Sequence, residues 1–188
     1  MEEKANPKVL SNDSSTETRE RPLLFMLSGA GKALPESAYK CFENDFEVTR
    51  LDAKSSTWEI GYTGKVGRDQ SIVDAILSTC KDRNGRMAFL GGFSDGATAA
   101  LSFLNIYPSY FDAVIAYSPG GMIGRRNNTV PVFMSHGFKD LCLPKKLSSD
   151  LVYKRLTNCH YVQFDGGHNV PSEVAESALE WAKRLLSN

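Results

Sequence analysis

The chain has 188 residues, 41% of them hydrophobic and 23% charged, and its 22 Lys+Arg balance its 22 Asp+Glu. That length supports one domain with a sizeable core. Zero net charge offers no field to gather nucleic acid or an anionic membrane, and no stretch nears the roughly 20 apolar residues of a membrane span.

Residues 1–21 are polar and mixed in sign, so they read as a flexible tail before a single domain over 22–188. Within that tail Val9 and Leu10 suggest at most a short edge strand. Met1-Glu2-Glu3-Lys4 is charged and no apolar run follows, so the start does not read as a secretory leader. The sequons at Asn12 and Asn127 therefore carry little weight. Cys41, Cys80, Cys142 and Cys159 form no C-x-x-C pair, which fits reduced thiols in a cytoplasmic protein.

The body alternates. An apolar strand over 23–27 leads into Ser28-Gly29-Ala30-Gly31, and 35–44 reads as a helix. A strand over 46–51 precedes a long loop, 52–67. Residues 69–83 form an amphipathic helix with Ile72, Val73, Ile76, Leu77 and Cys80 on one face, capped by Asp69 and ended by Gly85. A strand over 86–91 is followed by a helix over 95–106, stopped by Pro108. A strand over 111–117 precedes a second long loop, 118–129, in which Arg125-Arg126 reads as a solvated basic pair. A strand at 130–135, a helix at 144–157, a strand at 159–164 and a helix at 171–187 complete the chain, with Pro171, early Glu173 and late Lys183-Arg184 suiting the last helix. Strands alternating with helices imply a mostly parallel sheet with right-handed crossovers. No segment is large enough for a separate lid domain.

One strand-turn-helix junction carries chemistry. Gly92-Phe93-Ser94-Asp95-Gly96 follows the apolar run Met87-Ala88-Phe89-Leu90 and precedes a small-residue helix. That is the setting of a nucleophile elbow, in which the serine takes a strained backbone and its flanking residues must be small. Such a serine needs an acid and then a histidine downstream, in that order. His168 follows the last strand at the correct sheet edge and comes after every plausible acid. His160 begins its strand, at the opposite edge. His136 lies at the correct edge but precedes the acid. Asp140, four residues past a strand end, is the favoured acid. Asp165 is the alternative, and its simpler role is to brace the Gly166-Gly167 turn. The Asp95 side chain is expected to cap its own helix. Trp58, Met122 and Leu143 are candidates to line an acyl or alcohol pocket, with core packing the equal alternative for Trp58. No residues show metal-ligand spacing, so neither a metal nor an organic cofactor is expected.

These features resemble the α/β-hydrolase fold, and within it the phospholipase/carboxylesterase family that includes acyl-protein thioesterases. The resemblance spans about Pro22 to Leu186. It rests on Gly91 to Gly96, on His136-Gly137-Phe138-Lys139-Asp140-Leu141-Cys142-Leu143-Pro144, on Gly166-Gly167-His168, and on the tryptophan-bearing stretch Ser56 to Ile60. It implies a sheet of about six or seven strands with helices on both faces. It also implies an oxyanion hole of backbone N–H groups from Asp95 and Ala30, and it supports Asp140 as the acid. The chain departs from the family at Ser28-Gly29, where His-Gly is usual, and at Ala97, where glycine is common. The implied activity is hydrolysis of a carboxylic ester or thioester of a small-molecule or acylated substrate through a Ser94-His168-Asp140 triad. A polyester depolymerase, a dienelactone-type hydrolase and a weakly catalytic small-molecule receptor are the alternatives on the same fold. Loops 52–67 and 118–129 are too short and too polar to make a helical lid, so an open pocket without interfacial activation is expected.

Overall fold

The computed structural model describes residues 20–124 and 130–187. The expected tail, the Val9-Leu10 strand, both sequon asparagines and Arg125-Arg126 lie wholly or almost wholly outside those residues. Six strands form one sheet: β1 (Leu23–Leu27), β2 (Glu47–Leu51), β3 (Ala88–Phe93), β4 (Ala113–Tyr117), β5 (Val132–Gly137) and β6 (Cys159–Phe164). Their order is β2-β1-β3-β4-β5-β6 and every pairing is parallel. The central strands β1, β3, β4 and β5 are buried along their whole length, which explains their largely apolar sequences. The edges β2 and β6 are partly exposed and carry polar residues.

Alternate side chains of each strand feed two cores. Leu23, Phe25 and Leu27 pack on one face with α2 (Gln70–Lys81), α3 (Asp95–Ile106) and α4 (Ser149–Tyr153). Leu24 and Met26 pack on the other with residues 38–46 and α5 (Ser172–Leu186). The helix α5 offers Val174, Ala175, Ala178, Leu179, Trp181 and Ala182 as its apolar stripe.

Several elements differ from the sequence reading, each for a local reason. The 35–44 helix is two 3₁₀ turns, Glu36–Ala38 and Lys40–Phe42, because Tyr39 leaves helical geometry at φ −134°. The 144–157 helix is a turn, Lys145–Leu147, followed by the short α4. Ser148 breaks it: its Oγ donates to the Leu143 and Pro144 carbonyls, a side-chain alternative to the helical ladder. Within 52–67 a single helical turn forms, α1 (Ile60–Thr63). Asp69 does not cap α2; its carboxylate accepts the Lys54 and Glu59 amides and so folds the preceding loop. The strands β3 and β5 run two residues later than expected. Their glycines weaken strand propensity, but pairing with β1, β4 and β6 carries the ladder on.

Candidate active site

At the end of β3 the chain turns into α3 through Ser94, which sits at φ 55° and ψ −115°. This is a strained conformation for a residue with a side chain. A Cβ on Gly92 would stand 2.3 Å from the Gly96 carbonyl carbon, and one on Gly96 would stand 2.2 Å from the Leu27 carbonyl oxygen. Only hydrogen fits at either place, so the sequence pattern and the tightness of the turn have one cause. The Ser94 amide donates to the Tyr117 carbonyl at 2.8 Å, which pins the elbow to β4.

The other two residues reach Ser94 from the next loops. The Phe138 amide donates to the Phe164 carbonyl at 2.9 Å and the Lys139 amide to the Gly166 carbonyl at 2.8 Å, so the segments after β5 and β6 run together. Gly137 permits this, since a Cβ there would meet the Gly166 carbonyl at 2.3 Å. The result is a relay. His168 Nε2 lies 2.8 Å from Ser94 Oγ, and His168 Nδ1 lies 2.6 Å from Asp140 Oδ2. The imidazole packs on the Phe93 ring at 4.9 Å between centroids.

Asp140 is buried at 4% exposure and is well supplied with donors. Its Oδ1 accepts the Cys142 amide at 2.9 Å and the Leu143 amide at 2.8 Å. Its Oδ2 accepts from His168 and also lies 3.0 Å from His136 Nε2. Burial raises its pKa, but the Leu143 amide and the two imidazoles outweigh that and hold the carboxyl below its ordinary value. Asp165 is elsewhere: it pairs with Lys139 at 2.7 Å on the open surface. The turn it was expected to brace is held instead by backbone bonds from Gly166 to Phe164 and Asn169 to Gly167. His160 is exposed on β6, its ring against Phe133 at 5.5 Å.

No family model and no curated protein sequence matches the chain. Solved structures do. Est1E from Butyrivibrio proteoclasticus superposes with a TM-score of 0.68 at 14% identity, over 93% of this chain and 92% of that one. A Bacillus cereus carboxylesterase gives 0.64 at 19% identity, over 87% and 88%. A Xanthomonas campestris pv. campestris protein, named for the α/β superfamily of hydrolases, gives 0.60 at 17%, over 89% and 100%. The chain has the α/β-hydrolase fold.

Within this hydrolase fold the elbow stands where helix and sheet edge meet, and two amides flank Ser94. Ala30 and Asp95 each occupy the first position of a helical turn, where the N–H has no partner inside the helix. Among the described residues neither donates to another backbone carbonyl. Both line the cavity that Ser94 opens into, of about 620 Å³. Its walls include Tyr62 of α1, Met122 in the 118–124 loop, Leu143 and Leu147 ahead of α4, and Leu151 within it. Met122 and Leu143 are thus among the residues that line it.

Trp58 does not line that cavity. It is fully buried, its indole N–H donates to the Ser28 carbonyl at 2.8 Å, and its amide donates to Asp95 Oδ2 at 2.7 Å. Its role is the packing alternative: it ties the 52–69 loop to the two strand ends that carry Ala30 and Ser94. The Asp95 side chain accordingly does not cap its own helix. Burial raises the Asp95 pKa, against the hydrogen bonds from Trp58 and Tyr62 that lower it.

Residues that the sequence reading missed fasten the opposite wall. Thr98 Oγ1 accepts the Gly120 amide, Ser102 Oγ accepts the Ile123 amide, and the Arg155 guanidinium donates to the Met122 and Gly124 carbonyls. Thr98 and Ser102 follow Ser94 by four and eight residues, so helical spacing could have flagged them as facing the same side. Arg155 offered no such signal. Among the described residues no group of three or more His, Cys, Asp or Glu is placed to hold a metal ion, and no helix is long and apolar enough to cross a membrane.

Proposed function

We propose that the chain is a serine hydrolase that cleaves a carboxylic ester or thioester through an acyl-enzyme. The observation that carries this reading is the continuous relay from Ser94 Oγ through His168 to Asp140, with bonds of 2.8 and 2.6 Å. His168 takes the Ser94 proton as Oγ attacks the acyl carbon. The oxyanion of the tetrahedral intermediate accepts the Ala30 and Asp95 N–H groups, aided by the positive end of α3. His168 then gives its proton to the leaving alcohol or thiol. A water, deprotonated by His168, attacks the acyl-Ser94 ester, and collapse of the second intermediate frees the acid and restores Ser94.

The cavity supports an acyl substrate, because Met122, Leu143, Leu147 and Leu151 give it apolar walls. The name of one structural neighbour, the Bacillus cereus carboxylesterase, points the same way. Four free thiols suit a reducing compartment such as the cytoplasm. The test is labelling with a fluorophosphonate probe, together with turnover of aryl esters and acyl thioesters of graded chain length. Wild type should label and turn over. Ser94→Ala should do neither while keeping its circular dichroism. Labelling that persists in Ser94→Ala would assign the nucleophile to another residue and remove this function.

A further inference from the structure

We propose that His136 is a positioning residue for the acid of the relay: its Nε2–H holds the Asp140 carboxylate against the Leu143 carbonyl and so sets how strongly Asp140 draws on His168. This rests on the ester-hydrolase reading above. His136 is the next-to-last residue of β5 and is fully buried. Its Nε2 lies 2.7 Å from the Leu143 carbonyl oxygen and 3.0 Å from Asp140 Oδ2. Both neighbours only accept, so Nε2 must carry the hydrogen and share it between them. Nδ1 is buried without a partner, so the ring is a single donor in its neutral form. Burial lowers its pKa against the Leu143 bond and the Asp140 charge, which agrees with that tautomer.

The shared oxygen is what gives this bond a functional meaning. Asp140 Oδ2 receives both His168 Nδ1, at 2.6 Å, and His136 Nε2. Two imidazoles therefore compete for one oxygen, and density that Oδ2 gives to His136 is withheld from His168. The same hydrogen holds Leu143, a cavity-wall residue, so the acid and the substrate wall move as one piece. The other charged groups nearby are already engaged. Asp150 on α4 pairs with Lys145 at 2.7 Å, and Lys139 pairs with Asp165 on the surface. A histidine that merely filled core volume would need neither the Oδ2 contact nor a single tautomer.

His136→Phe keeps a ring of similar size and removes the donor, whereas His136→Gln retains an N–H. For His136→Phe we expect kcat to fall about 10- to 100-fold with KM changed less than about threefold, since the loss concerns transition-state alignment. The acid limb of kcat/KM should move to higher pH, because Asp140 then acts on His168 alone. His136→Gln should recover most of the rate and return the limb toward wild type. A rate loss shared equally by both variants with an unmoved limb, or no loss in either, overturns the proposal.

A second measurement does not depend on turnover or on His136→Phe folding well. A buried neutral histidine contributes stability above its unfolded value of 6.5 that is lost as pH falls below it. The melting-temperature gap between wild type and either variant should therefore narrow as pH falls through about 6.5. A constant gap from about pH 8 to 5 would show that the ring is not held in the neutral single-donor form, and would overturn the proposal even in an active esterase. Failure of Ser94 labelling in wild type would instead remove the function and leave this gap to be read by itself.

Discussion

At the scale of single residues, charge and burial separate two aspartates that the sequence left in competition. Asp140 accepts two amides and two imidazoles in a buried pocket, whereas Asp165 faces solvent and meets Lys139. Asp140→Asn should therefore lower kcat by up to about 10⁴, the cost of losing the group that orients a triad histidine. Asp165→Asn loses only an exposed pair, worth less than about 1 kcal/mol, and should stay within a few-fold of wild type. Steady-state kinetics on the two purified variants decides this, and a larger loss in Asp165→Asn would reassign the acid. Chain order and edge placement made Ser94, His168 and Asp140 legible in the sequence. His136 was legible only as a histidine that could not be the base. Its bond to Asp140 depends on how the three residues after β5 fold back, and no spacing rule states that.

At the scale of elements, the junction of β3 and α3 fixes the rest. The helix α3 is buried over most of its length, and its start lies directly on the end of β1. Gly96→Ala would press a methyl group into the Leu27 and Ser28 carbonyls, which backbone cannot yield cheaply. Overpacking of this kind costs about 1–3 kcal/mol. We expect Gly96→Ala to melt several degrees below wild type and to lose fluorophosphonate labelling out of proportion to that change. Labelling at the wild-type rate would show that the elbow tolerates a wider turn. The long regular elements α2, α3 and α5 were readable from periodicity because packing and propensity agree there. The segments 35–44 and 144–157 were not, because Tyr39 and Ser148 break a helical pattern that their neighbours maintain. Trp58 stayed open between pocket and core for a related reason. An aromatic near a site suits a pocket or a core equally, and only the bonds to Ser28 and Asp95 distinguish them.

At the scale of the whole molecule, the sheet divides its labour along its width. The elbow rides on the end of β3, a strand third in the order of six and buried along its whole length. His168, its hydrogen-bond partner, rides on the loop after β6, the partly exposed strand at the border. Ser94 and His168 are 74 residues apart, and the structural link between those regions runs through the β4–β5 and β5–β6 pairings. Border strands belong to the parts of a fold that open most readily. On the proposed reading, this arrangement makes β6 a fuse. On gentle warming β6 should exchange its amide hydrogens sooner than β3, and esterase activity should vanish while most of the helical signal survives. On the ester-hydrolase reading, Ser94 would then remain in place without its base, and a protein that has begun to come apart would stop cutting before it loses its shape.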